Sequence, residues 1–287
     1  MIYLLLSILA STLIFIHFKL FERFKVNTLQ AIVINYIVAS AFGLLVYDEP
    51  IKVADVISSQ WFYGAFLLGF LFISIFNVMA LTAQRNGLSV ASVASKMSVI
   101  IPVIFGFYVY HESAGLQKII GIILALFAVY LASVKSKTAI NFKKNLLLPI
   151  LLFFGSGIID TSIKYLETTY VSENGIPIFS ATIFGSAAII GILILGYKFI
   201  TGQFKFDYKS IIGGTLLGIV NYGSIFYLLK ALHFEGLESS TIFTVNNVAI
   251  VMVSTLLGLL LFKEHISMKN WIGILLAIVS IGLVTLA

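Results

Sequence analysis

Of the chain's 287 residues, 60% are hydrophobic and only 10% are charged, with a mean hydropathy of +1.08, which leaves too little polar surface to clothe a soluble globule. Cysteine is absent, which excludes disulfides, thiolate metal ligands and thiol nucleophiles. The net charge of +6 sits mainly in short connections between apolar runs, so it reads as a membrane-orientation signal rather than a nucleic-acid footprint.

Runs long enough to cross an apolar core about 30 Å thick as helices fall near residues 2–19, 29–47, 61–83, 88–110, 116–134, 146–165, 177–199, 211–233, 241–262 and 271–286. The first could pass for a secretory leader, but no basic residue precedes its apolar stretch and no small-x-small cleavage site follows. Its Ser11, Lys19 and Glu22 recur in mid-chain as Ser156, Lys164 and Glu167. A removable leader has no reason to be copied inside the protein, so this run reads as a retained helix. Alternating strands with aromatic girdles are missing, which argues against a β-barrel.

The recurrence extends along the whole chain. Gly43 matches Gly191, and Gly64, Leu67, Leu68, Gly69, Gly87 and Leu88 match Gly213, Leu216, Leu217, Gly218, Gly236 and Leu237. Further on, Glu112, Ile120, Gly121, Ile122, Leu124, Ala125 and Leu131 match Glu264, Ile272, Gly273, Ile274, Leu276, Ala277 and Leu283. Two five-helix repeats result, over residues 1–138 and 146–287. Five is odd, so the second repeat enters the membrane from the opposite side. The expected fold is therefore an all-α polytopic membrane protein with ten transmembrane helices in a 5+5 inverted repeat. Two similar halves that exchange conformations can open a midplane site to each side in turn, which is the architecture of a secondary transporter.

Basic residues divide unevenly between the connections. Those after odd-numbered runs hold Lys19, Arg23, Lys25, Arg85, Lys135, Lys137, Lys143, Lys144, Lys198, Lys205, Lys209, Lys263 and Lys269, against Lys52, Lys118, Lys164 and Lys230 on the other side. By the positive-inside rule the odd connections are cytoplasmic and both termini face outward.

Residues 80–132, with Asn86–Gly87 opening a run, Pro102 within it, Glu112 at its end and Gly121 in the next, resemble the EamA family of the drug/metabolite transporter superfamily. Residues 231–286 repeat the pattern with Gly236, Glu264 and Gly273 but lack the proline. The resemblance implies a ten-helix basket around a central cavity, no cofactor and no ATPase. It also implies transport of small metabolites across the cell inner membrane, with export of amino acids or related compounds a frequent role. It implies cytoplasmic termini as well, opposite to the charge distribution. The partners implied are a small-molecule solute and the lipid bilayer, with a homodimer left open.

Lys96 is the sharpest single signal for a site. A lysine near the bilayer centre costs on the order of 2.5–3.5 kcal/mol on insertion scales, so it faces a cavity or a partner rather than lipid. Ser89, Ser92 and Lys96 share one helical face, with Ser95 beside them. Lys96 either attracts an anionic group of the solute, such as a carboxylate or phosphate, or takes part in coupling, or else is a structural lysine paired with an acid or snorkelling toward an interface. Asp160, well inside the sixth run, either binds an ammonium group, balances Lys96 or exchanges a proton, or else pairs locally with Lys164 at i+4. Thr241, Thr244, Asn246 and Asn247 form the polar counterpart in the ninth run, where paired amides need a solute or a neighbouring helix to satisfy them. Tyr36, Asn77, Asn221 and Tyr222 are further solute-binding candidates, although amides and phenols also join helices.

Glu112 and Glu264 close their runs and read as capping or gating residues. Gly214 and Gly218 permit close helix contact, and Pro102 kinks the fourth run near Lys96. His17, His111, His233 and His265 stand at helix ends. No HExxH, GxSxG, phosphate-cradling loop, metal-ligand spacing or nucleic-acid motif occurs. A transporter of amino acids or other metabolites is thus expected, with sugar or phosphorylated-metabolite uptake as the alternative and a membrane-integral enzyme or receptor as the reading from another class.

Overall fold

The structure, a computed structural model, describes residues 1–86, 94–112, 115–133, 147–234, 236–262 and 267–286. Its helices are α1 (Ile2–Phe24), α2 (Thr28–Val46), α3 (Val53–Ser58), α4 (Phe62–Asn86), α5 (Ile100–Val109), α6 (Leu116–Ser133), α7 (Leu147–Tyr170), α8 (Ile176–Ile200), α9 (Tyr208–Leu232), α10 (Ser239–Phe262) and α11 (Met268–Thr285). A 3₁₀ turn, Glu173–Gly175, precedes α8, and no strand occurs among the described residues. Five helical stretches are long and apolar enough to cross a membrane: Thr28–Val46, Phe62–Met79, Leu147–Tyr170, Ile176–Ile200 and Tyr208–Leu232. Five further apolar stretches are shorter as described: Ile2–Phe18, Ala94–Val109, Leu116–Ala128, Ser239–Val253 and Trp271–Val284. Helices this apolar on all sides suit lipid on one face and protein on the other. The exposed Ile192, Leu193, Tyr197 and Ile200 of α8 fit that arrangement.

The chain forms two compact units, and each draws on both halves of the sequence. One comprises Ile2–Asn77 and Ser162–His233, the other Val78–Thr161 and Phe234–Ala287 together with Met1.

In the first unit, α2 and α9 run parallel and start together. Asn27 caps α2, its side chain accepting from Gln30 N at 3.2 Å, while Asp207 caps α9, accepting from Lys209 N at 3.1 Å. The two starts are cross-tied: Asn27 N donates to Asp207 Oδ2 at 2.8 Å, Asp207 N to Gln30 Oε1 at 3.0 Å, and Ser210 Oγ to Asn27 O at 3.1 Å. The backbone N–H of Asn27 foremost, then the Ser210 hydroxyl and Lys209, hold the Asp207 carboxyl below the usual carboxylate range. Further along, Gly214 and Gly218 let the α9 backbone press onto α2. A Cβ at Gly218 would lie 2.7 Å from both Asn35 O and Val38 Cβ. Helix α8 crosses α2 in the opposite direction, Gly43 against Ala181 and Gly191 against Val33. Helix α1 packs antiparallel to α9, with Ser7 Oγ donating to Ser224 O at 3.0 Å and Phe21 against Gly213. The aromatic rings of Phe18, Phe72, Phe76, Tyr36 and Phe184 form a connected core in this unit.

In the second unit, α6 and α11 run antiparallel. Ser280 Oγ donates to Gly121 O at 2.8 Å and Gln117 Nε2 to Leu283 O at 3.2 Å. Ala125, Ala128 and Ala277 meet Val248 and Val251 of α10 in a small-residue apolar core. Residues 94–97 are helical, and the helix is interrupted at Ser98–Val99 before resuming as α5. Pro102 explains the interruption. Its ring has no N–H and crowds the carbonyl four residues back, that of Ser98. The hydrogen bond there shortens to Ile101 N onto Ser98 O at 2.9 Å.

Candidate functional site

In the second unit three segments contribute polar side chains to one locus. The 94–97 segment brings Ser95 and Lys96, α7 brings Ser156 and Asp160 one turn apart, and α10 brings Asn247. Lys96 Nζ donates to Asn247 Oδ1 at 3.1 Å. Asn247 is itself held in place, since its Nδ2 donates to Phe243 O at 3.0 Å one turn earlier. Lys96 and Asp160 are close enough to interact electrostatically, and Lys164, on the same helix as Asp160, contacts Glu167. Ser156 Oγ lies 3.5 Å from Ser95 Oγ. The locus thus holds a cation, a carboxylate, an amide and two hydroxyls among apolar helices. That set can bind a solute carrying both charges.

Of the remaining α10 residues, Thr244 is fully buried and donates to Ser240 O at 2.7 Å. The side-chain oxygen of the buried Asn246 has no hydrogen-bond partner among the described residues. A buried amide oxygen left in this state carries a desolvation penalty of about 1–3 kcal/mol, which a solute or water donor would relieve. Ser92 lies outside the described residues.

Glu112 sets the position of α10. Its Oε2 accepts from Ser240 N at 3.0 Å, and its Oε1 accepts from Ser239 N at 3.1 Å and from the Ser239 hydroxyl. A carboxylate on the first free N–H groups of a helix satisfies them and meets the positive end of the helix dipole. Gly106 makes room for it, since a Cβ there would lie 2.9 Å from Glu112 Oε2. Beside this cap, the buried Lys118 pairs with Glu238, the residue before α10. The expectation of a capping Glu112 matches its contacts. The helix it caps lies 127 positions on in the sequence, and periodicity gave no sign of that. Ser156 and Glu238 were not singled out from the sequence either. Ser156 had a signal, its match to Ser11 in the repeat.

The other candidates belong to the first unit. Tyr36 is fully buried between Phe76, with ring centroids 5.6 Å apart, and Phe184, at 6.1 Å. Tyr222 stacks on Phe226 at 5.5 Å. Among the described residues neither phenolic oxygen has a hydrogen-bond partner, nor does Asn221 Nδ2. Asn77 Nδ2 donates to Ile73 O at 2.7 Å, one turn back along its own helix, so its amide is engaged locally. The structure therefore gathers Lys96, Ser95, Asp160 and Asn247 in one unit, and places Tyr36, Asn77, Asn221 and Tyr222 in the other.

Comparison with known proteins supplies the family. The model of the EamA-like transporter family matches residues 1–134. A Haemophilus influenzae (strain ATCC 51907 / DSM 11121 / KW20 / Rd) protein described as uncharacterized is 30% identical over 285 residues, covering 97% of this chain and 95% of its own length. A solved structure titled only as the crystal structure of a protein superposes with a TM-score of 0.77 over 99% of this chain and 96% of its own, at 13% identity, and so shares the fold. With its apolar helices this chain is a multi-pass membrane protein, and its residues 1–134 belong to the EamA-like transporter family.

Proposed function

We propose that this protein is a secondary active transporter of the inner membrane that carries a small zwitterionic metabolite, such as an amino acid, by alternating access. In this reading Lys96 holds the solute carboxylate, Asp160 its ammonium group, and Asn246, Asn247, Ser95 and Ser156 supply neutral hydrogen bonds. The observation that carries it is the gathering of one cation and one carboxylate among apolar helices, with Lys96 anchored to Asn247 at 3.1 Å. A purely anionic solute would find Asp160 repulsive, which ranks sugar phosphates second.

Two halves of opposite orientation suit alternating access, and the helix contacts support them. Gly218 of α9 faces Asn35 O and Val38 of α2, and the repeat-related Gly69 of α4 faces Ile183 O and Ser186 of α8. Gly213 faces Phe21, and its counterpart Gly64 faces Leu166. The crossing of Gly43 with Ala181 returns as that of Gly191 with Val33. Each pair is the other with the halves exchanged. The directions of the packed helices also fit ten successive crossings: α2 is parallel to α9 and antiparallel to α8, α1 antiparallel to α9, and α6 antiparallel to α11.

The test is a ligand-induced melting shift of the purified protein across amino acids, amines, sugars and phosphorylated metabolites, repeated with Lys96→Met and Asp160→Asn. The expected result is a shift confined to zwitterions that both substitutions abolish. A shift for sugars that survives both would sink the reading. A shift for phosphorylated compounds that depends on Lys96 alone would replace it with the anionic alternative.

A further inference from the structure

Away from this locus, in the first unit, one carboxylate has lost its whole surface to neighbouring helices. Glu167, one turn before the end of α7, has no exposed surface. His233, which closes α9, places Nδ1 2.7 Å from Glu167 Oε1, and Lys164 Nζ stands 3.8 Å from Oε2. Neither carboxylate oxygen receives an aligned hydrogen bond, and the same His233 nitrogen also lies 3.3 Å from Leu229 O. A buried ion pair whose hydrogen bonds are incomplete gains little from its charges, so it is poised to change protonation state or geometry. The His233 side chain is 30% exposed, which gives a proton a route from water to an otherwise sealed acid.

Among the described residues, the charged groups facing Glu167 are few. Lys164 comes from its own helix and His233 from α9. On the α4 side the contact is uncharged, Gly64 against Leu166. Lys230 stands partly buried one turn before His233 on α9. Tyr165 and Tyr170 pair with each other on the exposed side of α7. In the first half of the sequence, Lys19 and Glu22 occupy the positions of Lys164 and Glu167, but Gln84 stands where His233 would. The group that ordinarily titrates between about pH 5 and 8 is thus present in only one repeat.

We propose that Glu167 and His233 form a proton-binding site that ties the end of α7 to the end of α9. With one proton shared between them the pair is an imidazolium and a carboxylate, and the tie holds. A second proton neutralises Glu167 and leaves the imidazolium beside Lys164, and the tie opens. The ligand is the proton itself, taken up from water at the exposed edge of His233 with no other reactant.

Hydrogen exchange on the full chain in lipid nanodiscs reads this without any solute, so its failure would leave the reading of Lys96 and Asp160 intact. It compares about pH 5.5 with about pH 8, where the pair is to hold two protons and one respectively, after correction for intrinsic rates. Amides in the last turns of α7 and α9 are expected to lose about tenfold in protection at the acid pH, as a local opening would. Glu167→Gln, the isostere of the protonated acid, should show the low protection at both pH values, and His233→Gln should remove the pH dependence. In infrared difference spectra, a protonated-carboxyl C=O stretch that appears in acid and is missing from Glu167→Gln would place the proton on that oxygen. Equal protection at both pH values in the unmodified chain, or a dependence that survives either substitution, overturns the proposal, and the His233→Gln comparison decides alone if Glu167→Gln does not fold.

Discussion

Lys96 and Glu112 were legible in the sequence to different depths. A lysine in an apolar run is conspicuous because so few residues there are charged, and its energetic penalty demands a partner; Asn247 is one. Glu112 was conspicuous only through its repeat, which marked it as structural without saying what it holds. Its two oxygens meet the start of α10, so the carboxylate holds the end of the helix that carries Asn246 and Asn247. Glu112→Ala is therefore expected to lower stability by about 1–2 kcal/mol, the usual range for a lost helix cap, as a drop in melting temperature. Glu112→Gln should recover part of it, because an amide oxygen can still accept from Ser240 N. An unchanged melting temperature in the alanine variant would remove the cap from the account. The Glu167–His233 contact was not legible, because nothing in either local pattern links two residues so far apart.

At the scale of elements, hydropathy located five runs that the structure describes as helices long and apolar enough to span, because a helix in lipid satisfies its own backbone and needs only a long apolar sequence. The run expected over 29–47 is Thr28–Val46, and that over 177–199 is Ile176–Ile200. The short helix Val53–Ser58 and the turn at Glu173–Gly175 were not foreseen, since pieces of a turn or two leave no hydropathy signal. The close contact of α9 was foreseen from Gly214 and Gly218, and the structure adds what they meet. Gly218→Val puts side-chain atoms against the Asn35 carbonyl, a backbone atom that cannot rotate away, so an overpacking loss of about 1–3 kcal/mol is expected. Thermal denaturation in detergent checks it, and an unchanged midpoint would contradict the packing.

The tie between the starts of α2 and α9 adds a pH dependence with a definite sign. Because the Asp207 carboxyl is held below its ordinary range, its contribution is present above the unfolded value of about 3.9 and fades as pH falls through the folded value. Stability at this end is thus expected to be flat across neutral pH and to decline only in acid. Asp207→Asn should flatten that acid limb, which melting curves against pH would show.

At the scale of the whole molecule, the repeat was visible in the spacing of glycines, but the way its copies share contacts was not, since sequence offsets say nothing about which copy packs on which. The antiparallel crossing of α2 and α8 gives a direct test of their orientation. The chain has no native cysteine, so single cysteines can be placed in the exposed Gln60 and Gln203, which follow the C-terminal ends of these two helices. An impermeant maleimide should reach Gln60→Cys from one face of sealed vesicles and Gln203→Cys from the other. Labelling of both from one face would exclude the inverted repeat, whereas the side on which Gln60→Cys reacts decides between the orientation given by the positive charges and that implied by the family.

Neither compact unit is built from one half of the sequence alone. A polypeptide ending near residue 138 would carry only part of each, with the glycine grooves of α4 and the cap residue Glu112 left facing segments it does not encode. Such a fragment should be degraded when made by itself, yet two fragments made in the same cell could complement each other as independent chains. Recovery of a solute-induced melting shift from the co-purified pair, and from neither fragment alone, is the expected outcome.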